Sequence, residues 1–327
     1  MKSKIFSLIL VCTLFLSACS AADESFCMDT YGETFSTGNA IFCMGNKEIS
    51  AYDLEGEKIC TLENTLAEPY TATAGSYAVI YGEAEIFLSD GNEIRHNLIN
   101  NKIMSTAINK NGYAAVCTEE AGYKGSATVY DENFSPIYKW YCASGFIIKA
   151  ALSEKNILAV LTANEMGSTV HVFELDSEKE QYSVFIEKTL AIDFAWLEEK
   201  LCIISENAAY FADEDGIAKA VDFDRTLGEY AFGDGFVLIE MLNGDGTSRL
   251  ICYGKNGGKK GSAECEILRM AVAADDRIAV ISGGEALLYD DGLNEICRRD
   301  ARGVRNVMLC GGKLLLSRDS EIVIINE

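Results

Sequence analysis

One signal recurs down this chain at a nearly fixed interval. An aromatic or apolar residue closes a short apolar run, and Asp, Asn or Gly then opens a turn. The instances are Tyr52 in AYDLEG, Phe87 in FLSDGN, Tyr130 in VYDENF, Phe173 in VFELDS, Phe211 in YFADEDG, Tyr253 in CYGKNG, Tyr289 in LYDDGL and Ile325 in IINE. The steps between them run from 35 to 43 residues. A period near forty with four strand-length runs in each repeat reads as the blades of a β-propeller. One four-stranded unit cannot bury its faces alone and must stack on its neighbours.

The clearest unit covers Gly112 to Tyr141, preceded by the short run Ile103–Ile108. Ala114–Thr118, Ala127–Tyr130 and Ile137–Tyr141 are enriched in Val, Tyr, Trp and Thr, with Gly, Asp, Asn and Pro between them. That is the composition of consecutive antiparallel strands with tight connections. The units also begin alike: a strand of small residues leads through a turn to a more apolar strand, as in TATAGSYAVIY and DFAWLEEKLCII. Small side chains suit the crowded centre of a ring.

First-and-second strand pairs number eight once FSTGNAIFCM is included; third-and-fourth pairs number seven, plus an orphan third strand at Glu321–Ile325. Ser25–Thr30 is the right size to be the missing fourth strand, and pairing the two ends hides edges that an open ring exposes. The reading is therefore all-β, an eight-bladed propeller of four-stranded antiparallel blades closed between its N- and C-terminal strands, with seven blades as the alternative. One domain covers 25–327, behind a leader at 1–18 and a tether at 19–24.

The leader has Lys2 and Lys4, an apolar run from Ile5 to Phe15, and then Leu16-Ser17-Ala18-Cys19. The run is too short for an ordinary spanning helix. The last four residues resemble the lipobox of bacterial lipoproteins, which implies cleavage before Cys19 and a lipid on its sulfur. Such a chain is tethered to the outer face of the cell membrane and does not span it.

The charge of −22, or −24 without the leader, excludes nucleic acid as a natural partner, because a phosphate backbone must be met by cations. Anionic lipid repels the same surface. Of the 12 cysteines, Cys12 leaves with the leader and Cys19 is the lipid site. There is no CxxC, and His96 and His171 are the chain's two histidines. Zinc spacing is therefore missing. Many cysteines sit within apolar runs, such as AVCT at Cys117 and LCII at Cys202, and are read as buried free thiols, although an exported chain is also open to disulfides.

Catalytic motifs are missing too. There is no GxSxG, HExxH or P-loop. The Lys-Gly run 254–262 has the wrong spacing for phosphate and falls in a hairpin. The Asp-Gly stretches at 213–216 and 243–246 place Phe211 and Met241 at the first ligand position of a calcium loop, so they read as turns. The two tryptophans, Trp140 and Trp196, and the absence of vicinal cysteines do not match a quinone cofactor site. The expectation is no cofactor and no metal.

The blocks GYAAVCTEEAGYKGSATVYD and IIKAALSEKNILAV resemble a bacterial domain of unknown function, most sharply over 112–161. That family is similar in fold to WD40-like and quinoprotein-like propellers and occurs in lipid- or membrane-anchored proteins of Gram-positive anaerobes. A more distant likeness, in architecture alone, is to the eight-bladed propeller lipoprotein of outer-membrane assembly machinery. Neither resemblance implies an activity.

Loops between second and third strands are two or three residues in most units but read longer at Glu119–Ser126, Asn164–Ser168 and Leu242–Thr247. They open on one face, where binding tends to concentrate. Tyr123, Lys124, Met166, Asn243 and Asp245 are the candidate partner-binding residues. The functional expectation is a monomeric, non-enzymatic binding or scaffold module for an envelope or protein partner. The alternative is an enzyme or a small-molecule or glycan binder using the central channel.

Overall fold

Apolar runs of five to eight residues, broken by Gly and Asp, leave little room for helices. In the computed structural model, which describes residues 23–29 and 32–326, every regular element is a β-strand. The expected leader and lipid site lie outside the described residues, as do Thr30 and Tyr31.

The strands form eight four-stranded antiparallel sheets. Blades 1 to 7 cover 32–63, 70–98, 103–142, 146–187, 191–222, 226–266 and 268–300, each in simple chain order. Blade 8 takes Asn306–Cys310, Lys313–Ser317 and Glu321–Ile325 from one end of the chain and Glu24–Cys27 from the other. Glu24 stands opposite Ile324 and Cys27 opposite Glu321. The ring therefore has eight blades, closed as expected, with the closing strand confined to 24–27.

Position in the blade explains composition. Second and third strands have a neighbouring blade on each face, so Ile41–Gly45 and Ala114–Thr118 are buried at every residue. They read as continuous apolar runs for the same reason that strands of doubly covered sheets do. Fourth strands lie at the rim and alternate, as Glu180–Glu187 does. The core is a wedge between each pair of neighbours. Between blades 3 and 4, for example, Ala127 and Val129 pack with Leu158, Val160 and Phe173.

The recurring aromatic-Asp signal has a local cause. The aromatic residue sits at a register shift between third and fourth strands, as at Tyr52, Phe173 and Tyr289, and all three side chains are buried. The Asp side chain then caps the turn. Asp131 Oδ1 accepts the Asn133 and Ser135 N–H groups at 3.0 and 2.8 Å, and Asp290 Oδ1 accepts those of Gly292 and Asn294 at 2.9 and 2.8 Å. This is the Asx turn that the residue type favours.

Cys117, Cys142, Cys202, Cys252 and Cys310 carry free buried thiols, whereas Cys27 is exposed. Burial pushes the Cys117 and Cys252 thiols up to about 12 and raises Cys202 further. The thiolate is the reactive form. Maleimide at pH 8 should therefore label the exposed Cys27 in the native protein well before the buried Cys117. After unfolding without reductant, all ten cysteines of the described residues should react. Peptide mass spectrometry reads both results, and six or fewer labelled thiols would mean disulfides.

Candidate functional site

Because strands alternate in direction, the first-to-second and third-to-fourth hairpins open on one side of the ring, here called the lower face. The second-to-third hairpins and the blade-to-blade links open on the other, the upper face. All five candidate partner-binding residues lie on the upper face.

Tyr123 and Lys124 occupy the 119–124 loop of blade 3, which Glu120 organises. Its Oε2 lies 2.7 Å from Lys139 Nζ and accepts the Ser126 hydroxyl at 3.2 Å. The Lys139 ammonium holds the Glu120 carboxyl below its ordinary range. The Lys124 N–H donates to Cys142 O at 2.8 Å and turns the loop tip over the fourth strand. Tyr123 then lies 4.7 Å, centroid to centroid, from Tyr141, with Lys139 Nζ 4.8 Å from the Tyr141 ring and Lys124 Nζ 5.4 Å from that of Phe146. Tyr123 is 50% exposed, Tyr141 43% and Phe146 64%. Three large aromatic rings are thus held open to solvent and flanked by two lysines. Met166 of blade 4 and Leu190 of the next link extend the apolar surface, at 63% and 62% exposure.

The three long loops expected become two, 119–124 and 243–246. In blade 4 the strands Leu158–Asn164 and Gly167–Phe173 leave a two-residue turn holding Met166. The polar residues that look like loop are bonded within strands. The Ser168 hydroxyl donates to Thr189 O at 3.0 Å and accepts the Ala191 N–H at 2.9 Å. Asn243 and Asp245 are turned inward on their own loop. The Asn243 amide donates to Thr247 Oγ1 at 2.8 Å, and the Thr247 hydroxyl donates to Asp245 Oδ1 at 2.6 Å. They stand on blade 6, with blade 5 between them and the aromatic group. The fold brings Tyr123 and Lys124 together, sets Met166 on the adjoining blade, and leaves Asn243 and Asp245 apart.

Sequence reading missed Tyr141, Phe146 and Lys139. Tyr141 was read as an ordinary strand residue, and only its register opposite Ser126 shows that it faces the loop.

The channel holds a second group. The first strands of blades 3 to 7 each carry a bulge near the upper face: between Ile103 and Ser105, Ile147 and Lys149, Ala191 and Asp193, Leu227 and Tyr230, and Leu268 and Met270. A bulge re-aims the side chain that follows it. Lys149 Nζ meets Asp193 Oδ1 at 2.6 Å, and the Tyr230 hydroxyl lies 3.4 Å from Asp193 Oδ2. Burial pushes the Tyr230 phenol up to about 12. A cavity of about 600 Å³ adjoins them, walled by Ser105, Thr106, Ala150, Asp193 and Trp196. At the lower mouth Lys110 of blade 3 reaches across to Asp234 of blade 6 and to Asp275 of blade 7, the latter at 3.4 Å.

Among the described residues no three His, Cys, Asp or Glu side chains are placed to hold a metal ion. Both histidines are engaged in packing. His171 bonds Glu180 at 2.7 Å and Thr162 at 3.1 Å, and His96 stacks on Phe87 at 4.7 Å.

The profile of a family described as "Family of unknown function (DUF5711)" matches residues 23–326. No curated protein matches the sequence. Among solved structures, the C-terminal WD40 domain of Sif2 is similar with a TM-score of 0.66 at 9% identity, covering 93% of this chain and 98% of that one. A chain of a mitotic checkpoint complex is similar with a TM-score of 0.52 at 11% identity, covering 98% and 99%. A eukaryotic initiation factor is similar with a TM-score of 0.59 at 12% identity, covering 88% and 81%. At such identities the likeness is one of fold.

Proposed function

This chain belongs to the DUF5711 family, whose function is unknown, and from that premise we propose that it is a non-enzymatic binding module, tethered by a lipid at Cys19 to the outer face of the cell membrane, that holds a protein partner of the envelope on its upper face. The observation that carries the reading is the open aromatic group Tyr123, Tyr141 and Phe146 between Lys124 and Lys139. Exposed aromatics of this size mark interaction surfaces, because each offers much contact area for few frozen rotors. Lys139 is paired with Glu120, and Lys124 beside the Phe146 ring is the cation left to favour a partner with acidic side chains. One of the similar chains belongs to a multi-protein complex, which shows the architecture at work in an assembly. The tether rests on Leu16–Cys19 following a short apolar run.

Membrane pull-down with three forms tests it. Wild type should fractionate with membranes and capture partners. Cys19→Ser should stay out of the mature, membrane-bound pool. A variant with 119–124 replaced by Asn-Gly should fold, because hairpins favour that turn, yet recover partners about tenfold less well, the effect of losing about 1.4 kcal/mol. Equal recovery with the shortened loop would remove this surface from consideration. Wild-type size and membrane retention in Cys19→Ser would remove the tether.

A further inference from the structure

We infer that the partner held on the upper face adds an extended segment of its own chain, as a fifth β-strand, to the free edge of blade 3 at Pro136–Cys142. The inference rests on the reading of Tyr123, Tyr141 and Phe146 as a partner surface, and it adds how the partner's backbone is recognised.

Pro136–Cys142 is the outermost strand of blade 3 and pairs on one side alone, with Gly125–Tyr130. A strand offers N–H and C=O groups to both sides. Among the described residues, no other element bonds the backbone of 137–141. Every blade has a fourth strand at the rim, so a free edge by itself selects nothing. Side chains make the selection. Ile137 and Tyr141 are both exposed, and among the described residues no other fourth strand carries two exposed large apolar side chains. Natural sheets blunt a free edge with charge. Lys259–Glu266 and Glu295–Asp300 do so with four charged residues each. Pro136–Cys142 has one, Lys139, whose ammonium is drawn onto Glu120 and lies over the Tyr141 ring. Pro136 guards only the start of the strand. An apolar edge left bare is a template for another strand.

The same strand specifies its occupant. Its outward N–H and C=O groups repeat at strand spacing, which another extended backbone matches. Side chains alternate, so Ile137, Lys139 and Tyr141 share one face of the blade. Tyr138 and Trp140 share the other, where they pack on the core between blades 3 and 4. Every second residue of an added strand therefore lies beside Ile137 or Tyr141 and gains by being apolar. Tyr123 stands 4.7 Å from Tyr141, at the upper end of the strand. Lys124, beside the Phe146 ring at that same end, favours an acidic residue there. The occupant is an extended segment of alternating apolar residues with an acid at the end nearest Tyr141.

The test is a screen of random peptides of seven residues, the length of the strand, displayed on phage against the full chain, with the enriched peptides then synthesised. Enriched peptides should alternate apolar and polar residues and carry an acid at one end. Methylating the peptide's backbone nitrogens one at a time should weaken binding about tenfold or more at every second position and under about twofold in between, because alternate N–H groups face the blade. Bound peptide should slow amide exchange across 137–141 by about tenfold or more. Ile137→Asp, at an exposed position outside the aromatic group, should weaken binding about tenfold with the fold kept. No enriched peptide, an N-methyl profile without alternation, or unprotected amides at 137–141 would overturn the inference. The variant with 119–124 replaced by Asn-Gly separates strand pairing from the reading beneath it. Peptides that lose affinity for that variant yet show no alternation would leave the aromatic surface standing without strand pairing. Alternation that persists on it at equal affinity would leave strand pairing standing without the aromatic surface.

Discussion

A chain that starts at Gly32 is expected to unfold about 10–20 °C below one that starts at Ala21, from about 5 kcal/mol lost at about 2–4 °C per kcal/mol in a large domain. The missing segment is the closing strand. Its residues Glu24 to Cys27 pair one for one with Ile324 to Glu321, and the Met28 N–H continues the ladder to Ser320 O at 2.7 Å. Phe26 packs 6.0 Å from Tyr52, and its ring lies where a Cβ on Gly56 would fall, while Met28 is buried. Each large apolar side chain contributes about 1.5–3 kcal/mol at full burial, and each ladder bond about 0.5–1.5 kcal/mol net. The Asp23–Arg299 pair at 3.0 Å is partly exposed and adds little. Deletion also bares the apolar edge of Glu321–Ile325, so the truncated chain should aggregate during refolding. Calorimetry and light scattering measure the two effects. An unchanged midpoint would mean that the ring does not depend on this closure.

Glu240→Leu should cost about 3–5 kcal/mol, and Glu240→Gln about half of that. Glu240 is 1% exposed, on the second strand of blade 6. Its Oε1 accepts the Leu268 N–H at 2.7 Å and its Oε2 the Glu229 N–H at 2.9 Å. Glu229 lies in the blade 6 bulge and Leu268 opens blade 7. The carboxylate therefore ties the bulge to the next blade. Gly228 is required above it, because a Cβ there would lie 2.4 Å from Oε2. Leucine leaves the buried Leu268 N–H and the partly buried Glu229 N–H without acceptors, each costing about 1–3 kcal/mol. Glutamine keeps one acceptor oxygen and turns an NH₂ toward the other donor. Chemical denaturation of both variants reads the order. Glu240→Gln as stable as wild type, or Glu240→Leu losing under about 1 kcal/mol, would mean that water serves those N–H groups instead.

Much of this molecule is legible in one dimension, and the physical reason is that its information is local. Asp131 announces a turn because its own carboxylate accepts N–H groups two and four residues on. Ala114–Thr118 announces a doubly covered strand because every side chain in it is apolar or small. The orphan Glu321–Ile325 and the spare segment near Ser25 announce closure because an unpaired edge is costly. The candidate surface was legible only in part. Tyr123 and Lys124 stood out as loop residues, but Met166 was read into a loop that is a tight turn, since bonded strand residues such as Ser168 look like loop.

From the sequence alone come the repeat, the strand order and the way the ring closes, with eight blades read ahead of seven; the eight sheets of the structure decide that count. These follow from side-chain chemistry within a few residues and from a period that only stacked blades satisfy. Which side chains meet across blades was decided by the tertiary structure alone. Lys149 finds Asp193 and Tyr230 because bulges in three successive strands turn them into one channel. Tyr141 finds Tyr123 because register sets it beneath the loop. Glu240 finds Leu268 because two blades abut. Such meetings depend on the radius and register of a closed ring, and no local pattern in the chain encodes them.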